Sequence, residues 1–193
     1  LDRLEVLAGA AKGKTLDVGF NPNYTALHDV LVKKLGQKNV IAIDTVVRKP
    51  TKYLLKASAE RMPFKKAEFD SVVAGELIEH LKEPGAFVKE SARVLKQGGL
   101  LALSTPNKKS WANRLTRSYE APLHFSLFSI QKLTGLLERH GFEILEMKMF
   151  PYTAESSEGS QHKWFMPVRK FVHYIVPFSL KENMVFIARL SEK

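Results

Sequence analysis

The stretch Thr15-Leu-Asp-Val-Gly-Phe-Asn-Pro-Asn-Tyr24, together with Val40-Ile-Ala-Ile-Asp44, constrains this chain more than any other. Four strand-forming residues run into a glycine and a polar turn. A helical pattern then covers Thr25 to Leu35, and a second apolar strand ends in an acid. That order is a βαβ unit. In such a unit the glycine lets the backbone turn sharply and approach a ligand, the helix N-terminus offers unpaired N–H groups, and the acid after strand two can hold a ribose diol. The implied ligand carries an adenosine. A pyrophosphate cradle wants Gly-x-Gly-x-x-Gly, whereas Gly19 is followed here by Asn21, Pro22 and Asn23, so a dinucleotide fits poorly.

The rest of the chain continues the alternation. Asp2 to Ala11 has helical spacing and is expected to cover the sheet edge beside strand one; Lys12-Gly13-Lys14 stops it. Tyr53 to Ala57 reads as a short third strand, and Phe69 to Ala74 is the apolar run of a buried central strand. A short helical turn after Leu77 precedes a helix from Pro84 to Leu95. Gln97-Gly98-Gly99 is expected to stop that helix, with Leu100 to Ser104 as strand five. Ser129 to His140 reads as a helix, Phe142 to Phe150 as strand six and Met184 to Leu190 as the last strand.

Two segments stand outside this rhythm. Lys108 to Tyr119 has four basic residues and no acid, with Trp111, Leu115 and Tyr119 on one helical face. The span 108–125 is either a lid over the substrate or a surface helix packed on the body. The span 151–180 reads as a variable insertion before the last strand. Thr153 to Ser160 has loop composition, and Trp164 to Phe178 is apolar and aromatic with Arg169 and Lys170 inside it. The latter is either an interfacial helix or a wall for a greasy substrate, or a helix packed on the sheet between the last two strands.

At 193 residues the chain is long enough for one core, so a single domain over 1–193 is expected. It has no cysteine, which removes disulfides, thiolate nucleophiles and cysteine-bound zinc. No apolar run approaches the ~18 residues of a membrane span. Leu1-Asp-Arg does not open a signal peptide, and a cytoplasmic setting is the expectation. The net charge of +10 favours acidic partners or reflects a solvated lysine-rich surface.

Leu16-Asp-Val-Gly19, Asp44, Ser58-Ala-Glu-Arg-Met-Pro-Phe64, Phe69 to Glu76 and Arg93 to Ser104 stand in an order and spacing that resemble the class I S-adenosylmethionine-dependent methyltransferases, of the type 11 or ubiquinone O-methyltransferase-like kind. The resemblance covers about residues 1 to 150 and returns in the last strand. It implies an α/β, Rossmann-like fold with a seven-stranded, mostly parallel sheet, helices on both faces and an antiparallel last strand. It also implies S-adenosylmethionine as cofactor, held by Asp17, Gly19, Phe20, Asn21, Asp44, Thr45, Ser58, Ala59, Glu60, Gly75 and Glu76. In this set Asp44 takes the ribose, Gly19 with the backbone of Phe20 and Asn21 lies by the methionine part, and Ser58 or Glu60 meets the adenine. The family turn has two or three glycines; this one has side chains at those positions.

In Glu76-Leu-Ile-Glu79-His80, positions i, i+3 and i+4 of a helical turn face one way, so two carboxylates and an imidazole converge. Such a set suits magnesium or manganese. It resembles the magnesium-dependent 2′-O-methyltransferases of small RNAs and the O-methyltransferases of ubiquinone synthesis, which implies a further histidine after strand five, His124. The expected metal set is Glu76, Glu79, His80 and His124, with His80 and His124 as the catalytic pair. Without a metal, Glu76 lines the cofactor, Glu79 is solvated and His80 caps the turn. The reading is an enzyme that O-methylates a small, lipophilic molecule. Its alternatives are an RNA 2′-O-methyltransferase and a non-catalytic binding protein that kept the fold after its glycine turn eroded. Peripheral membrane contact is compatible with the first, and the oligomeric state is open.

Overall fold

The computed structural model describes residues 2–116, 124–151 and 166–191. Seven strands, β1 (Thr15–Val18), β2 (Val40–Asp44), β3 (Leu54–Lys56), β4 (Phe69–Gly75), β5 (Leu95–Pro106), β6 (Phe142–Phe150) and β7 (Asn183–Leu190), form one sheet in the order β3-β2-β1-β4-β5-β7-β6. The neighbours from β3 to β5 pair in parallel, and β7 lies antiparallel between β5 and β6. The Rossmann-like, mostly parallel sheet is therefore as expected. Strand order reverses between β1 and β4, and crevices outside the carboxyl ends of strands at such a reversal are where open α/β sheets bind ligands.

Among the described residues six α-helices flank the sheet: α1 (Arg3–Ala10), α2 (Ala26–Leu35), α3 (Pro84–Val94), α4 (Trp111–Thr116), α5 (Ile130–Arg139) and α6 (Met166–Ile175). Their starts are written locally. Asp2 and Glu5 exchange the two bonds of a capping box on α1, Pro84 opens α3 where no amide partner is lost, and the Ser129 hydroxyl accepts from the Lys132 amide of α5. Successive residues of the central strands point to opposite faces. Val72, Leu101 and Phe186 meet Phe87 and Val88 of α3 and Leu133 and Leu137 of α5. Val73, Ala102 and Val185 meet Val6 and Leu7 of α1 and Leu31 of α2.

Two placements differ from expectation. Helix α1 does not cover an edge, because β1 is interior to the sheet; α1 lies across β4, β5 and β7 beside α2. Strand five begins at Leu95 rather than Leu100. Gln97-Gly98-Gly99 lies within that strand, where the register against β4 shifts between Phe69 and Ser71. A Cβ on Gly99 would lie 2.8 Å from the Lys96 carbonyl, so the bulge requires glycine there.

Residues 117–123 of the expected lid, with Tyr119, the Thr153 to Ser160 loop, and Trp164 and Phe165 lie outside the described residues. Among the described residues no helix is long and apolar enough to cross a membrane.

Candidate functional site at the carboxyl ends of β1, β2 and β4

Strand β1 delivers Asp17 and Gly19 to the reversal point. Asp17 is buried, and its Oδ2 lies 2.9 Å from Nδ1 of His28 on α2. Burial pushes its carboxyl above the usual range, and the His28 bond works in the other direction. The His28 ring in turn meets Phe20 edge-on at 5.0 Å. Gly19 has φ +92°, and a Cβ there would come 3.1 Å from Leu77, so both backbone and packing demand glycine. The amides of Gly19 and Phe20 both donate to the Ile43 carbonyl at 2.9 and 3.2 Å. They tie β1 to β2 and are engaged within the protein. Asn21 to Tyr24 closes a tight turn: the Tyr24 amide donates to the Asn21 carbonyl at 2.8 Å and the Asn23 amide to the Asn21 side chain at 2.9 Å. Pro22 suits the second position of such a turn. The residues that replace the glycine-rich loop thus form a turn of their own.

Asp44 is the last residue of β2. Its Oδ1 accepts from the Val46 amide at 2.8 Å and from the Thr45 hydroxyl at 3.3 Å, while Oδ2 has no protein partner among the described residues. A fixed carboxylate with one open oxygen is suited to a diol. In the third loop, Ser58 accepts from the Glu60 amide at 3.1 Å and Ala59 is buried. Glu60 turns towards α3, where its Oε1 accepts from the Glu83 amide at 2.8 Å. Of the two expected adenine contacts, Glu60 is engaged in holding a helix start, and Ser58 retains hydrogen-bonding capacity.

Gly75 and Glu76 end β4. A Cβ on Gly75 would lie 2.9 Å from Leu27, and Glu76 itself has φ +50°. A non-glycine residue held there stores strain, which the structure stabilises through the side chain. Glu76 pairs with Arg3 of α1, accepts from the Ser104 hydroxyl at 2.8 Å, and donates its amide to the Ser104 carbonyl at 3.1 Å. Arg3 is buried and also reaches Ser104.

Beyond Glu76, a short turn over Ile78–His80 presents Glu79 and His80. Glu79 is buried and its Oε2 accepts from the Thr105 hydroxyl at 2.9 Å. Burial, with the neighbouring charge of Glu76, raises its carboxyl well above the usual range. The Glu79 carbonyl accepts from the Ser126 amide at 3.0 Å, which brings the 124–127 stretch to this turn. The rings of His80 and His124 are 4.9 Å apart, and ligand atoms of Glu79, His80 and His124 all lie within 4.8 Å of one another. Three of the four expected metal ligands therefore meet. Glu76 is not in that group, because its carboxylate is taken by Arg3 and Ser104; Glu79 is not solvated but buried.

Arg3, His28 and Thr105 join the site without having stood out in the sequence. For Arg3 a signal was available: it shares the face of Val6, Leu7 and Ala10 at helical spacing, so a cation had to be buried with them. His28 and Thr105 depend on which strands and helices become neighbours.

Residues 2–147 match a family whose model is described as "Methyltransferase domain". Over 113 residues the chain is 35% identical to a protein of Mycobacterium tuberculosis named as a probable S-adenosylmethionine-dependent methyltransferase, covering 54% of this chain and 41% of that one. Over 46 residues it is 50% identical to a ubiquinone biosynthesis O-methyltransferase of a Bradyrhizobium species, covering 23% of this chain and 18% of the relative. The chain thus spans less than half the length of these curated relatives. In three dimensions it is similar to a crystal structure of an S-adenosylmethionine-dependent methyltransferase from Archaeoglobus fulgidus, with a TM-score of 0.70 and 18% identity over 97% of this chain and 91% of that one. That likeness concerns the fold.

Proposed function

The chain belongs to the methyltransferase domain family, and on that premise we propose that it transfers a methyl group from S-adenosylmethionine to an oxygen of a small, lipophilic acceptor. The observation that carries this is the fixed carboxylate of Asp44, with an open Oδ2, beside the Gly19 turn at the strand reversal.

The residues fit the donor. Asp44 would hold its ribose hydroxyls, Ser58 and Ala59 its adenine, and Gly19, Gly75 and Asp17 would line the aminoacyl end. When bound, S-adenosylmethionine supplies an electrophilic methyl on a sulfonium, so the protein has mainly to align and exclude water. Glu76, pinned by Arg3 and Ser104, would form a rigid wall of that site.

On the acceptor side, with no ion bound, His80 or His124 would take a hydroxyl proton as the new C–O bond forms and the C–S bond breaks. Glu79, His80 and His124 together would hold a divalent ion. One carboxylate with two imidazoles shifts the preference from magnesium towards manganese or zinc. Such an ion, when bound, lowers the pKa of a coordinated hydroxyl. The oxygen acceptor is supported by this donor set and by the O-methyltransferase among the relatives.

The test is calorimetry with S-adenosylmethionine and S-adenosylhomocysteine. Both should bind, and Asp44→Ala should weaken binding by about 1–3 kcal/mol, the loss of a charged acceptor for buried hydroxyls. Heat from a nicotinamide dinucleotide with none from S-adenosylmethionine would overturn the reading.

A further inference from the structure

The segment that follows β5 and the segment that leaves α6 share one surface. A groove of about 670 Å³ lies between them, with Lys108, Lys109, Arg114 and Lys132 in its wall beside Ser129 and Ser179. The described lining contains four cations and no carboxylate. Asn107 joins the two segments, its side-chain amide donating to the carbonyls of Ser179 and Lys181 at 2.9 and 2.8 Å.

Helix α6 is arranged inside out. Of its two charged residues Lys170 is exposed, but Arg169 faces inwards: it donates to Glu182 at 2.6 Å, and Glu182 is fully buried. His173 is buried on the same side. The apolar residues face outwards, with Phe171 66%, Tyr174 78% and Ile175 66% exposed, Val168 at one end and Phe178 beyond the other. A solvated surface helix has the opposite arrangement. The four cations lie in a groove lined also by Ser179 and Leu180, a few residues beyond the outward aromatic and aliphatic face of α6, and the two together are complementary to a surface that is anionic at its headgroups and apolar beneath them.

We propose that this face, α6 with the Lys108–Lys109 groove, docks on an anionic lipid bilayer. A nucleic acid strand would use the cations and leave Val168 and Ile175 in water, so the bilayer accounts for both halves of the surface. The face also lies where docking is useful. Because β7 is antiparallel, Asn183 sits opposite Pro106 and Phe150, so the chain leaving α6 enters the sheet at the carboxyl ends of β5 and β6. This is the end that carries His80 and His124. A lipophilic acceptor would reach the site from the membrane side, a step that rests on the function proposed above. The docking itself does not, and its test reads no methyl transfer.

The test is co-sedimentation of the 193-residue chain with vesicles of phosphatidylcholine, with and without phosphatidylglycerol. The anionic vesicles should bind the chain at least about ten-fold more tightly than neutral ones, and added salt should weaken that binding. The pair Lys108→Ala and Lys109→Ala should lower affinity roughly twenty-five-fold, about five-fold per lysine. The pair Phe171→Ser and Tyr174→Ser should lower it at least about ten-fold, since two aromatic faces no longer enter the interface. These side chains are exposed, so thermal unfolding should be unchanged; Lys132→Ala and Ile175→Ser provide an independent pair. Equal binding to neutral vesicles would overturn the proposal. So would an absence of vesicle binding in a chain that still binds S-adenosylmethionine, or binding to a short RNA that depends on the lysines but not on Phe171 and Tyr174.

Discussion

Replacing Arg3 by methionine keeps an unbranched apolar stem, shorter than that of arginine, and removes the charge. Arg3 is 8% exposed, and its guanidinium lies between Glu76 and Ser104. Without it, Glu76 loses its counter-ion and stands near the buried Glu79, whose carboxyl is already raised by burial and by the Glu76 charge. Breaking a buried pair from one side costs about 3–5 kcal/mol. The Glu76 side chain is 26% exposed, so water recovers part of this, and about 2–3 kcal/mol is expected for Arg3→Met. Urea denaturation at neutral pH measures it. Adding Glu76→Gln should restore at least about 1 kcal/mol, because an amide in that place needs no counter-ion. Acid should narrow the gap between Arg3→Met and the wild type, since the raised carboxyl of Glu79 takes up its proton and no longer repels its neighbour. A loss below about 0.5 kcal/mol, or no rescue by Glu76→Gln, would refute the argument that Arg3 neutralises this corner.

Gly19→Ala places a Cβ 3.1 Å from Leu77 at φ +92°, and should cost about 1–3 kcal/mol in urea denaturation, with Leu77→Ala relieving the contact but not the backbone strain. Glu90 is held below the usual carboxyl range by Arg93, which donates to it at 2.6 and 2.7 Å, and by the Met62 amide. The stability it contributes is present above the ordinary glutamate range and is lost as pH falls through the lowered value. Glu90→Gln should therefore cost about 1 kcal/mol at neutral pH, partial exposure of Arg93 included, and progressively less in acid. Manganese titration followed by electron paramagnetic resonance should show a site that His124→Ala removes and Glu76→Gln keeps; binding insensitive to His124→Ala would place any ion elsewhere.

The sheet and the Gly19 turn with Asp44 beside it were legible because their signals are local. A four-residue strand, one glycine and an acid after the next strand determine β1, the turn and Asp44 from residues close in sequence. The chelate-like turn over Glu79 and His80 was legible for the same reason. Glu76 was misassigned because its partner arrives from α1, more than seventy residues earlier, and periodicity shows that a helix has a buried face but not what covers it. The same gap put α1 at an edge. Gly98 and Gly99 were read as a helix stop because glycine breaks helices and shapes bulges alike; pairing with Phe69 decides between them. Composition also marked α6 as apolar without saying which way it faced. Burial of Arg169 against Glu182 is a tertiary choice that turned its aromatics outwards.

The decisive measurement is a crystal structure with S-adenosylhomocysteine bound. The ribose hydroxyls should lie on Asp44, at about 2.6–3.0 Å, with the sulfur directed towards the side of the site that carries His80 and His124. A nucleoside bound away from the ends of β1 and β2, or bound there with Asp44 still held by Val46 and Thr45 alone, would contradict this placement.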